Sequence, residues 1–334
     1  MEPASRSTAT SESSIRGLLA RGVSLQLEGD LDGACREYEA ALEAEPQSAV
    51  AWNNLGFART QQGRLEDALS CYERALEIEP SRSMAHANLA LAQAARGDLN
   101  DAVKALQRAL ELDPRNILAA SNLGRLLMAC GELHAAEQAF RAALHISPAD
   151  AGLRIALGTV LAARGRPREA ADEFGRAVDI EPRNAQAWDQ LGVALMLSHD
   201  LGSACDAFRH SLSIAPEANG VRHHLANAML ARGDREGAED EMQRILLLEP
   251  THTGALIDLA VLALARRDAS ASLQWLGRVA EDDPRAQFYK ALALDMIGQN
   301  EQAREIFQRL AGDKSGKYGR LAAEQLAART PTAA

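Results

Sequence analysis

Between residues 49 and 80, AVAWNNLGFARTQQGRLEDALSCYERALEIEP, apolar and small residues return every three or four positions in two runs. Trp52, Leu55 and Gly56 lie in the first and Ala68, Tyr72 and Ala75 in the second; Gly63 stands between the runs and Pro80 closes the pair. Such spacing belongs to helices, so the stretch predicts two amphipathic helices joined at a glycine. The same pattern recurs along the chain. Prolines at 46, 80, 114, 148, 182, 216, 250 and 284 are each 34 residues apart and account for eight of the chain's eleven. With each of these prolines placed at position 32, full units start at 15, 49, 83, 117, 151, 185, 219 and 253. A ninth, shortened by three residues, starts at Pro284 and keeps Gly298, Ala303 and Phe307.

Alignment on this interval predicts the packing. Position 20 is Ala34, Ala68, Ala102, Ala136, Ala170, Ala204, Ala238 and then Ser272, and position 8 is glycine or alanine throughout. Small residues in both columns let the two helices of a unit approach closely, and the bulky position 24 (Tyr38, Tyr72, Leu106, Phe140, Phe174, Phe208, Met242, Leu276) fills the space beside them. Position 15 is usually glycine, as a left-handed residue after a helix requires, so His199 and Arg267 in that column predict strained turns. The recurring proline stops the second helix from running on. Residues 1–13, rich in serine and threonine, are expected to lack fixed structure. In residues 315–330, Tyr318, Leu321, Ala322 and Leu326 share one helical face, as a capping helix over the last unit would.

These columns resemble the tetratricopeptide repeat: Trp52, Leu55, Gly56, Gly63, Ala68, Tyr72, Ala75 and Pro80 match that family's pattern within one unit. The resemblance covers residues 15–311 and implies an all-α, right-handed superhelical solenoid of helix hairpins. It also implies that first helices line a concave face, into which positions 2, 5, 6, 9, 12 and 13 look. Position 6 holds Asn54, Asn88 and Asn122 in consecutive units, a row of side-chain amides able to satisfy the backbone of an extended peptide. Similar rows hold extended segments in O-linked N-acetylglucosamine transferases. The candidate groove residues are Asn53, Asn54, Phe57, Asn88, Leu91, Asn122, Arg125, Gln190 and His224, with the three ladder asparagines expected to face solvent. Adjacent units lack the cations of a carboxylate clamp, which disfavours an acidic C-terminal tail as ligand. Further along, Ile155, Val193, Met196, Leu230, Ile257 and Leu264 make the inward positions more apolar.

Composition narrows the reading. A net charge of −10 disfavours nucleic acid as a partner. Cys35, Cys71, Cys130 and Cys205 are widely spaced and read as reduced thiols in a cytoplasmic protein, with Cys35 and Cys205 as packing residues. The N-terminus lacks the apolar stretch of a secretory signal, and no apolar run is long enough to predict membrane insertion. Arginine outnumbers lysine 32 to 4, a bias of GC-rich bacterial genomes. No phosphate-binding, zinc-protease or nucleophile-elbow motif occurs, and the repeats leave no separate catalytic domain. His223 and His224, adjacent on one helix, point about 100° apart and cannot both grip one ion, so neither metal nor cofactor is expected. The function expected is a non-enzymatic scaffold or adaptor binding a protein segment or helix in its groove. Two alternatives stand beside it: an accessory subunit of a glycosyltransferase or surface-polysaccharide system, and a self-assembling scaffold, with weak self-association.

Overall fold

The computed structural model describes residues 5–313 and 316–328, and among these it contains helices and no strands. The helices are α1 (Ser5–Glu28), α2 (Leu31–Ala44), α3 (Ala49–Gln61), α4 (Leu65–Ile78), α5 (Ser83–Arg96), α6 (Leu99–Leu112), α7 (Ile117–Ala129), α8 (Leu133–Ile146), α9 (Ala151–Ala163) and α10 (Pro167–Ile180). They continue with α11 (Ala185–Leu197), α12 (Leu201–Ile214), α13 (Asn219–Arg232), α14 (Arg235–Leu248), α15 (Thr253–Ala265), α16 (Ala269–Leu276), α17 (Pro284–Met296), α18 (Asn300–Ala311) and α19 (Lys317–Ala327). They fall into two compact units, Met1–Ile180 and Glu181–Ala334. In each, odd- and even-numbered helices pair as antiparallel hairpins that stack in chain order, the solenoid arrangement. In the first unit α3 also touches α5, α5 touches α7 and α7 touches α9, which places the first helices on the tighter side of the stack.

The turn inside each hairpin has the left-handed backbone that the glycine column predicts, with φ between 72° at Gly165 and 100° at Gly97. His199 and Arg267, where the glycine is missing, still take φ of 66° and 61°; the turn geometry overrides the side-chain penalty there. At five of the recurring prolines, Pro46, Pro80, Pro148, Pro182 and Pro216, the carbonyl is met by the side chain six residues on. Trp52 donates to Pro46 at 3.0 Å, Trp188 to Pro182 at 2.9 Å and Arg222 to Pro216 at 2.7 Å. Position 4 therefore fastens the link between hairpins as well as packing against it.

Close packing within a hairpin follows a paired rule. A Cβ built on Gly56 would stand 2.8 Å from Tyr72 Cε1, and one on Gly192 2.5 Å from Phe208 Cε1. Where position 8 is glycine, position 24 is tyrosine or phenylalanine; where it is alanine (Ala90, Ala226, Ala260), position 24 is Leu106, Met242 or Leu276. The bare glycine backbone accepts a flat ring, and the extra methyl needs a flexible aliphatic chain. The ninth hairpin departs from this rule, setting Ala291 with Phe307. The position 20 residues, Ser272 included, are fully buried. Burial pushes the Cys35 and Cys71 thiols up from their ordinary value and the Tyr72 hydroxyl up to about 12.

Two expectations are corrected at the ends. Helix α1 reaches back to Ser5, into the stretch expected to be unstructured; residues 1–4 lie outside the described residues. Pro284 does not stop a second helix. It sits in the first turn of α17, behind an Asp283 cap whose Oδ1 accepts from the Arg285 and Ala286 amides at 2.8 and 3.1 Å. The missing three residues belong to the eighth hairpin, whose second helix α16 has only 8 residues. Trp275, off the family pattern, is half-buried against this shortened hairpin, with the Arg278 guanidinium 5.3 Å from its ring. Helix α19 lays Tyr318, Leu321, Ala322 and Leu326 against Phe288 and Phe307 of the last hairpin.

Candidate functional site

On a first helix, positions 2, 6 and 9 lie about one turn apart on one face. In the first unit this stripe reads Val50, Asn54, Phe57 on α3; Met84, Asn88, Leu91 on α5; and Leu118, Asn122, Arg125 on α7. Val50, Phe57, Met84, Leu118 and Arg125 are exposed, Asn54 and Leu91 half-buried. Asn88 and Asn122, expected to face solvent, are 5% and 4% exposed, and Asn53 is 5% exposed.

The reason is the register between hairpins. Asn88 Nδ2 donates to Asn53 Oδ1 at 3.0 Å, and Asn53 Nδ2 donates to Asn54 Oδ1 at 3.3 Å. The ladder thus steps from position 6 of one hairpin back to position 5 of the hairpin before it, 35 residues away, instead of running along one column. Successive first helices come close enough here for the amides to meet each other, and a buried amide must find such a partner. The step then fails: the residue 35 before Asn122 is Ala87, which offers no acceptor. Asn122 Oδ1 receives the Arg125 guanidinium, and its Nδ2 is buried without a partner.

The same diagonal recurs in the second unit with different chemistry. His224 Nδ1 on α13 lies 2.8 Å from Asp189 Oδ1 on α11, and His223 Nε2 lies 2.7 Å from Asp258 Oδ2 on α15. The adjacent histidines turn to opposite neighbours. Gly254 makes room for one of them, since a Cβ there would come within 2.6 Å of His223 Cε1. The hydrogen bond to Asp189 raises the pKa of His224 above its ordinary value, against the opposing effect of burial. Gln190, the other second-unit candidate, is half-buried on α11. Among the described residues no three His, Cys, Asp or Glu side chains are grouped so as to hold a metal ion. The role of Asp189 and Asp258 escapes a reading by columns, because each lies one column away from its partner; a search at an offset of 35 finds both.

Away from these stripes, a cavity of about 430 Å³ lies at the hairpin turns, lined by Gly97–Asp101 and the exposed Cys130. No helix among the described residues is long and apolar enough to cross a membrane.

Comparison with known proteins bears on the family and the fold. Models described as tetratricopeptide repeat match residues 47–115, 93–140 and 131–192, 285–313, and 15–40 and 220–244. The chain belongs to the tetratricopeptide repeat family. Among solved structures, it resembles the C-terminal part of a TPR repeat-containing protein from Cytophaga hutchinsonii, at 15% identity and a TM-score of 0.61, covering 71% of this chain and 98% of that one. PilF of Pseudomonas aeruginosa matches at 21% identity and 0.52, covering 62% and 94%. The TPR protein YrrB matches at 23% and 0.52, covering 55% and 95%. These likenesses concern the fold. No curated protein matches the sequence.

Proposed function

We propose that the chain is a non-catalytic scaffold, at work in the cytoplasm, that holds a partner polypeptide along the inner face of α3, α5 and α7. The observation that carries this reading is the row of exposed Val50, Met84 and Leu118, in register on three successive first helices, with Phe57 exposed on the far side of the amides. Large apolar side chains left in water in such a row mark a surface that gains by being covered. Each contributes up to about 1.5–3 kcal/mol when fully buried. The amides beneath are largely spent on one another, so the flanking apolar side chains supply the affinity and the asparagines hold the helices that present them. YrrB, a relative in fold, is described as having an unusual peptide-binding site; the reading here rests on this chain's own residues.

Peptides selected from a displayed random library against the full chain test it. A Phe57→Ser/Met84→Ser/Leu118→Ser variant should keep the wild-type circular dichroism and bind the selected peptides at least about tenfold more weakly, a loss of about 1.4 kcal/mol. Unchanged binding by the folded variant, or a library that yields no binder, would remove this surface from consideration.

A further inference from the structure

We infer that Asp189 and His224 form a pH-sensitive clasp that fastens α13 to α11 in the second unit and loosens as pH rises. The geometry is that of a half-buried pair at 2.8 Å, joining two first helices where the first unit uses the uncharged Asn53–Asn88 bond at 3.0 Å. The two sites stand at equivalent positions, so the backbone frame does not demand a charged pair. An imidazolium donating to a carboxylate holds the helices more strongly than a neutral imidazole does.

Several other charged groups around α13 are committed elsewhere, and Arg232, Arg235, Glu236 and Asp240 are exposed to solvent. From α12, the Phe208 ring lies over His224 at 5.7 Å between centroids. Arg209 of α12 pairs with Asp206, and His210 stacks on Trp188 while its Nδ1 meets the Asp206 carbonyl. From α14, Glu241 is held between Arg222 and Arg244, each at 2.7 Å, and Glu239 is taken by Arg266. On the α15 side, Asp258 faces His223, whose ring meets that of His252 edge-on. Asp189 is therefore the carboxylate that faces His224. Since His224 holds its proton more tightly in the folded chain than in the unfolded one, the clasp contributes fully below the ordinary histidine range and fades as pH rises through the raised value.

Two measurements on the full chain test the inference. In a magnetic resonance titration, the His224 ring protons should show a midpoint above that of an unstructured histidine, and Asp189→Asn should lower it. In hydrogen exchange corrected for intrinsic rates, α11 should lose protection as pH passes through that midpoint; α11 is the segment to read because His223 is turned away from it, toward α15. An Asp189→Asn/His224→Asn variant, which copies the amide step of the first unit, should show no such loss. A wild-type midpoint at or below that of an unstructured histidine would overturn the clasp, as would a variant that keeps the wild-type loss. If the double variant does not fold, the wild-type and Asp189→Asn titrations decide: an unmoved midpoint rejects the inference.

Discussion

At the α3–α5 contact two buried asparagines meet, and at the α11–α13 contact a histidine meets an aspartate, although the residues occupy the same positions of the repeat. What the two sites share is a backbone frame that brings position 6 of one hairpin to position 5 of the one before. What differs is the chemistry placed there. The amide pair is indifferent to pH and nearly so to salt, because neither partner carries charge. The histidine–aspartate pair responds to both. A solenoid repeats its packing strictly, yet each step between hairpins can be tuned separately, since each hairpin contacts mainly its neighbours.

The largest effects should come from breaking what the two regions share. Gly56→Ala drives a methyl to 2.8 Å from the Tyr72 ring and Gly192→Ala one to 2.5 Å from Phe208. Each should cost about 1–3 kcal/mol in chemical denaturation. Adding Tyr72→Leu or Phe208→Leu, respectively, should recover part of the loss, because alanine at position 8 already coexists with Leu106, Met242 and Leu276. The measured quantity is the coupling in each double-mutant cycle, which should be favourable and similar in the two units. Absence of coupling in both would show that the pairing of columns is not a packing rule.

Next comes the difference itself. Asn53→Ala leaves the buried Asn88 Nδ2 without its acceptor, at a cost of about 1–3 kcal/mol. That cost should not vary with pH between about 5.5 and 8.5, where no asparagine titrates, nor with added salt. Denaturation of wild type and variant at the two pH values, in low and high salt, checks this. A cost that changes with either condition would mean that the first-unit step is not the neutral one described.

The repeat, its hairpins and its turns were legible because they depend on local rules: a 34-residue interval, a glycine after the first helix, a proline after the second. The strained turns at His199 and Arg267 could be foreseen on the same ground. The division near Ile180 could not, since the interval between Pro148, Pro182 and Pro216 runs through it unbroken. Nor could the burial of Asn88 and Asn122. Exposure at an inward column depends on how closely successive first helices approach, a distance that no single unit encodes. Pro284 misled because it keeps the 34-residue interval while serving a different purpose, the start of α17.

A smaller effect, and a favourable one, is expected at Ser272. The column is alanine in the first unit's hairpins, but in the eighth hairpin the fully buried Ser272 hydroxyl has no hydrogen-bond partner. Ser272→Ala removes that unpaired group and restores the shape of the column, so stability should rise by about 1 kcal/mol. An unchanged or lowered melting temperature would show that the hydroxyl is satisfied in solution.

The smallest effect belongs to Asn122, at the break in the ladder. Its Oδ1 accepts from Arg125, whose exposed guanidinium can return to water at little cost, so loss of that bond costs little. Its Nδ2 is buried beside a position where Ala87 replaces the acceptor seen in Asn53, and an unpaired buried donor is a standing penalty. Asn122→Ala removes the bond and the penalty together, and it leaves a small void that weighs on the other side. The terms oppose one another, and the net change should lie within about 0.5 kcal/mol, well below that of Asn53→Ala. Urea denaturation of the two single variants side by side measures the contrast. Equal costs would mean that Asn122 has a partner in solution and that the ladder continues through α7; a clear gap would confine it to α3 and α5, with the row at position 6 ending one hairpin earlier than its three asparagines suggest.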